Sequence, residues 1–92
     1  MGGKVYLIIK VYPSEVGLDL KELLEDIKRV LPEGVNVVKS EEEPVAFGLK
    51  LLKVHLIMPE ETEGGTEKIE KVISNLDKVS QVEVTWLSRM VS

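Results

Sequence analysis

The stretch from Leu49 to Met58 limits the folds open to this chain more than any other. It is apolar and partly β-branched, with Gly48 before it and Pro59 after it, which marks a strand. Its alternating sets are Leu52, Val54, Leu56 and Met58 on one side, and Leu49, Leu51, Lys53, His55 and Ile57 on the other. Neither side is wholly polar, so the strand is expected in the middle of a sheet. Lys4 to Tyr12 has the same character: Val5, Leu7, Ile9 and Val11 alternate with Tyr6, Ile8, Lys10 and Tyr12. Two central strands need two edge strands and a cover for one face.

The remaining segments supply both. Asp19 and Glu22 have the spacing of a capping box. The helix they open carries an apolar stripe at Leu20, Leu23, Leu24, Ile27 and Val30–Leu31, and Pro32-Glu33-Gly34 stops it. Val35 to Lys39 is expected as a short edge strand, with Glu41-Glu42-Glu43 behind it to discourage edge pairing. Pro44 to Gly48 then forms a loop. Pro59 to Gly65 is an acidic loop, and Thr66 caps a second helix with its stripe at Ile69, Val72, Ile73 and Leu76. Ser80 to Leu87 is the last strand, with Val82, Val84 and Trp86 inward and Glu83, Thr85 and Leu87 outward; Ser88 to Ser92 is a tail. The order β-α-β-β-α-β specifies an α+β, ferredoxin-like fold, a four-stranded antiparallel sheet with both helices on one face. The open face is expected to show Tyr6, Ile8, Leu51, Ile57 and Leu87, an apolar patch of the kind that meets a partner.

At 92 residues the chain is expected to be one domain, 1–92, with one core. The net charge of −4 and the mixing of signs argue against direct nucleic-acid binding, which wants a basic face. Tyr6 is an aromatic on the open face, but the third strand adds none, so base stacking on the sheet is not expected either. No apolar run approaches the roughly 20 residues that span a membrane. The opening Met1-Gly2-Gly3-Lys4 lacks a signal-peptide pattern, so a cytoplasmic protein is expected. Without cysteine, and with one histidine, no transition-metal site or Cys nucleophile is expected.

Single residues point less sharply. His55 lacks any neighbour in sequence to orient it as a base, so a structural role is the simpler reading. Gly64-Gly65-Thr66 reads as a turn and cap, not as a phosphate loop. The acidic runs are either solvated charge or a loose divalent-cation contact. Phe47, beside Gly48, is either a core anchor or an exposed recognition aromatic. Arg89 read alone is a solvated charge.

Glu43-Pro44-Val45-Ala46-Phe47-Gly48-Leu49-Lys50, then Gly64-Gly65-Thr66-Glu67, then Ser80-Gln81-Val82-Glu83-Val84 with a later basic residue, together resemble the archaeal elongation factor 1-beta family. They also resemble the C-terminal exchange domain of its eukaryotic counterparts. The resemblance covers essentially the whole chain. It implies a guanine-nucleotide exchange factor that promotes GDP release from the elongation factor 1-alpha GTPase, with no cofactor and no covalent chemistry of its own. It also implies a partner-binding set of Pro44, Phe47, Gly48 and Lys50 with Arg89, where the eukaryotic proteins carry lysine at the last position. One end of the third strand would be the platform for both Phe47 and Arg89, and a monomer is expected. The competing reading is a small ferredoxin-like regulatory module that binds a ligand as a dimer.

Overall fold

The computed structural model describes residues 3–62 and 64–90. Its elements are β1 (Lys4–Pro13), α1 (Leu20–Val30), β2 (Asn36–Ala46), β3 (Leu49–Pro59), α2 (Gly65–Ser74) and β4 (Val79–Met90). The strands form one antiparallel sheet in the order β2-β3-β1-β4, so the two most apolar strands are the central ones. Leu7, Ile9, Val54 and Leu56 from those strands are fully buried together with Leu23 and Ile27 of α1 and Ile69 and Ile73 of α2. Each such side chain contributes about 1.5–3 kcal/mol on burial. The fold is the expected ferredoxin-like α+β arrangement.

The α1 cap is made by Asp19 Oδ1, which accepts from the amides of Lys21 at 2.9 Å and Glu22 at 3.3 Å. The reciprocal half of the box is absent, because the Glu22 carboxylate instead accepts from Lys78 Nζ at 2.9 Å. Lys78 Nζ also donates to Asp26 at 2.9 Å, fastening α1 to the turn before β4. The hydrogen bond from Lys78 holds the Asp26 carboxyl below its ordinary range, and the same contact raises Lys78. Asp26 therefore adds stability above the ordinary carboxylate pKa and loses it as pH falls through its depressed value. Lys78 adds stability below the ordinary lysine pKa and loses it as pH rises through its raised value. Lys78→Ala should lower the melting temperature by a few degrees at neutral pH, and the difference should shrink below about pH 3.9. A scan of melting temperature against pH for both proteins checks this.

Thr66 is not the cap of α2. Gly64 holds that position at φ 82° with no side-chain cap bond, and Thr66 lies in the first turn. A Cβ on Gly64 would stand 2.9 Å from Lys68 Cβ, so close approach as well as the left-handed backbone calls for glycine. Of the acidic residues in the preceding loop, Glu63 lies outside the described residues.

The edge strands depart further from expectation. β2 runs on through Glu41, Glu42 and Glu43, which pair with Lys53, Leu52 and Leu51. The three carboxylates alternate across the sheet and find lysines there: Lys10 with Glu43 at 3.2 Å, Lys50 with Glu42 at 3.8 Å, Lys39 with Glu41 at 3.7 Å. Like charges next to each other in a strand point to opposite faces, so the run is compatible with pairing to β3.

β4 is longer than expected and its faces are reversed past Thr85. Ile9 pairs with Val84 but Ile8 pairs with Trp86, leaving Thr85 as the extra residue of a bulge. Its hydroxyl donates to the Ile8 carbonyl at 3.2 Å. The bulge moves Trp86 to the open face, exposed, and brings Leu87 opposite Leu7 on the helix side. Ser88 and Arg89 belong to the strand and not to a tail; Val91 and Ser92 lie outside the described residues. The open face is also drier than its sequence suggests, since Leu51 is 2% and His55 6% exposed.

Candidate partner interface

The expected loop from Pro44 to Gly48 is a hairpin tip. Ala46 pairs with Leu49, and Phe47-Gly48 alone makes the turn, with both residues at positive φ, 51° and 80°. That is the backbone of a type I′ hairpin, which asks for Asn-Gly or Gly-Gly. A Cβ on Gly48 would meet only Val16 Cγ1, at 4.0 Å, so the backbone angle and not crowding selects glycine. Phe47 is the one non-glycine residue at positive φ among the described residues, and it is completely exposed. An aromatic there costs on the order of 1 kcal/mol or more in backbone strain and leaves a large apolar surface in water. Two local rules are broken at one position, which is where function is expected to override stability. Of the two readings open for Phe47, the core anchor is thereby excluded.

The other hairpin residues support the tip. Pro44 pairs with Lys50, and as an edge-strand residue it has no ladder N–H to lose. Lys50 is held near Glu42 across the hairpin. Val45 is half-exposed, and Val16 in the loop between β1 and α1 is 63% exposed at the same end of the molecule. A cleft of about 390 Å³ separates that loop from the hairpin, lined by Val16, Gly48 and Lys50 among others.

Arg89 is at the other end. It pairs with Val5 in β1, whose neighbour Lys4 pairs with Pro59, the last residue of β3. Phe47 precedes the first residue of β3, so the two residues are separated by about the length of that strand, roughly 33 Å at 3.3 Å per residue. The sheet thus brings Pro44, Phe47, Gly48 and Lys50 together and keeps Arg89 away from them. The expectation that one end of β3 carries both is overturned. The Arg89 guanidinium forms an ion pair with Glu60, in the turn after β3.

One cluster was invisible in the sequence. Tyr6 OH lies 2.7 Å from His55 Nδ1, with the rings edge to face. Glu41 Oε1 lies 3.3 Å from His55 Nε2, without the alignment of a hydrogen bond. Tyr6 and His55 are 49 positions apart, and no local pattern links them. Among the described residues no three His, Asp or Glu side chains are grouped to hold a metal ion.

A fully exposed aromatic on a strained hairpin does not by itself name a chemistry, and comparison with known proteins gives the family of the chain. The family model of the EF-1 guanine nucleotide exchange domain matches residues 6–90. The chain belongs to this exchange-domain family. It is 52% identical over 87 residues to elongation factor 1-beta of Ignicoccus hospitalis, covering 95% of this chain and 93% of that one. The elongation factors 1-beta of Staphylothermus marinus and Aeropyrum pernix are 48% and 49% identical over 87 residues, each covering 95% of this chain and 97% of the relative. Among solved structures, the C-terminal domain of the MgtC protein from Mycobacterium tuberculosis aligns with a TM-score of 0.59 at 13% identity, over 97% of this chain and 89% of that one. That likeness concerns the fold alone. Membership of the exchange-domain family supports a role as an EF-1 exchange factor, and no helix among the described residues is long and apolar enough to cross a membrane.

Proposed function

We propose that this protein accelerates GDP release from the elongation factor 1-alpha GTPase of translation, acting from both ends of its sheet. The observation that carries the proposal is Phe47, a solvent-exposed aromatic at positive φ on the hairpin of an exchange-domain family member. Phe47 fills an apolar pocket of the GTPase, with Pro44, Gly48 and Lys50 fixing the tip that presents it. Arg89 brings a cation to the phosphate and magnesium region of the nucleotide site. GDP is held there largely through its phosphates and Mg²⁺. A guanidinium supplies positive charge without the octahedral geometry that Mg²⁺ requires, so the nucleotide-poor state gains relative to the loaded one.

The span between Phe47 and Arg89 exceeds a nucleotide site, so the two ends meet the GTPase at separate places. The molecule is 45 Å long and 21 by 18 Å across, which suits a brace laid along a larger partner. One end then anchors while the other perturbs. No bond is made or broken in this reading, so the protein acts as a partner and not as an enzyme, in the cytoplasm where the GTPase works.

The test is release of fluorescent GDP from an archaeal elongation factor 1-alpha with substoichiometric amounts of this protein. Acceleration is expected. Arg89→Ala should slow the catalysed rate at least about thirtyfold, the scale of removing one member of a desolvated charge contact. Arg89→Lys should recover part of it, since lysine keeps the charge but not the planar fork. No acceleration of a cognate, active GTPase would remove the exchange reading and leave the dimeric ligand-binding module as the alternative to pursue.

A further inference from the structure

The ion pair between Glu60 and Arg89 is built from one side only. The Glu60 amide donates to the Gly3 carbonyl at 2.9 Å, which docks the turn after β3 against the start of β1. Gly3 has no side chain there, and a Cβ on it would stand 2.6 Å from Glu60 Oε2. The space a methyl group would take is the space the carboxylate occupies. The Glu60 backbone is thus docked by the turn, and its side chain lies over Gly3, 34% exposed. Arg89 is the loose member, with its side chain 73% exposed.

We infer that Glu60 positions Arg89 as a displaceable counter-ion, holding the guanidinium at the end of the sheet until a phosphate group of the GTPase-bound nucleotide replaces it. This rests on the exchange reading above. An exposed ion pair is weak, whereas a phosphate offers more charge and the same two-oxygen match to a guanidinium fork. The exchange of partners is therefore downhill, but it is not free of Glu60. The Glu60–Arg89 pair has to be broken first, and the worth of that exposed pair comes off the affinity of the encounter. Glu60 acts through Arg89 and lowers the affinity of the encounter; it does not enter the step that frees GDP.

The measurement is a titration of the GDP-loaded GTPase, followed both by equilibrium binding and by the rate of GDP release. Glu60→Gln should lower the dissociation constant and the half-saturating concentration about two- to fivefold, the scale of an exposed pair, with the maximal rate unchanged. Gly3→Ala should move both in the same direction. Its methyl displaces the far end of a flexible side chain, so folding is preserved and the carboxylate is what shifts. In an Arg89→Ala background the Glu60→Gln gain should vanish. An unchanged or weakened affinity of Glu60→Gln overturns the inference, and so does a gain that persists without Arg89. Failure of the wild-type protein to accelerate release is a separate result, and it removes the exchange reading and this inference together.

Discussion

Phe47→Ala is expected to slow catalysed GDP release at least about thirtyfold, the loss typical of truncating a central aromatic anchor. Its melting temperature should stay within about two degrees of wild type, as for surface substitutions that break no packing. Phe47 touches water on all sides, so the folded protein loses no buried area with the ring. Phe47→Asn separates function from stability further. Asn-Gly is the preferred pair for a turn with both φ angles positive, so this variant should melt several degrees higher and still fail in exchange. A clear drop in melting temperature for Phe47→Ala would mean that the ring braces the hairpin. An unchanged release rate would take Phe47 out of the interface.

Ile9→Ala should do the reverse. Ile9 is completely buried at the middle of β1, between Val54 of β3 and Val84 of β4. Truncation leaves a cavity under both helices and should cost about 3–4 kcal/mol, a large share of the roughly 5–15 kcal/mol that holds a small domain together. For a chain of 92 residues that lowers the melting temperature by roughly 15–25 °C. Urea unfolding gives the free energy directly. Measured well below the new transition, GDP release should keep its half-saturating concentration, because Ile9 reaches neither Phe47 nor Arg89. A loss of exchange in the folded variant would show that the centre of the sheet transmits between the two ends.

The hairpin end of the sheet is half legible in the residues. Gly48 announces positive φ, but Phe47 before it gives no such signal, and an aromatic in a short apolar context points equally to a core. Only the pairing of Ala46 with Leu49 reduces the loop to two residues and forces Phe47 outward. The acidic run misled in the other direction. Glu41, Glu42 and Glu43 look like a break in structure until Lys39, Lys50 and Lys10 are seen beside them. Simple alternation puts Trp86 inward and Leu87 outward, and a bulge at Thr85 inverts both. A one-residue slip exchanges the two faces of everything after it, and no hydrophobic pattern in β4 is strong enough to reveal it.

The element order, the two central strands, the apolar stripes that place both helices on one face, and the family resemblance are all legible along the chain. These follow from periodicity and from motifs read along the chain, where neighbours in sequence are neighbours in space. The exposure of Phe47, the place of Arg89 at the far end of the sheet and the room that Gly3 leaves for the Glu60 carboxylate emerge only once the strands are paired. Each of those depends on register between strands many residues apart. Register is fixed by cross-strand hydrogen bonds and side-chain pairs that no single segment contains.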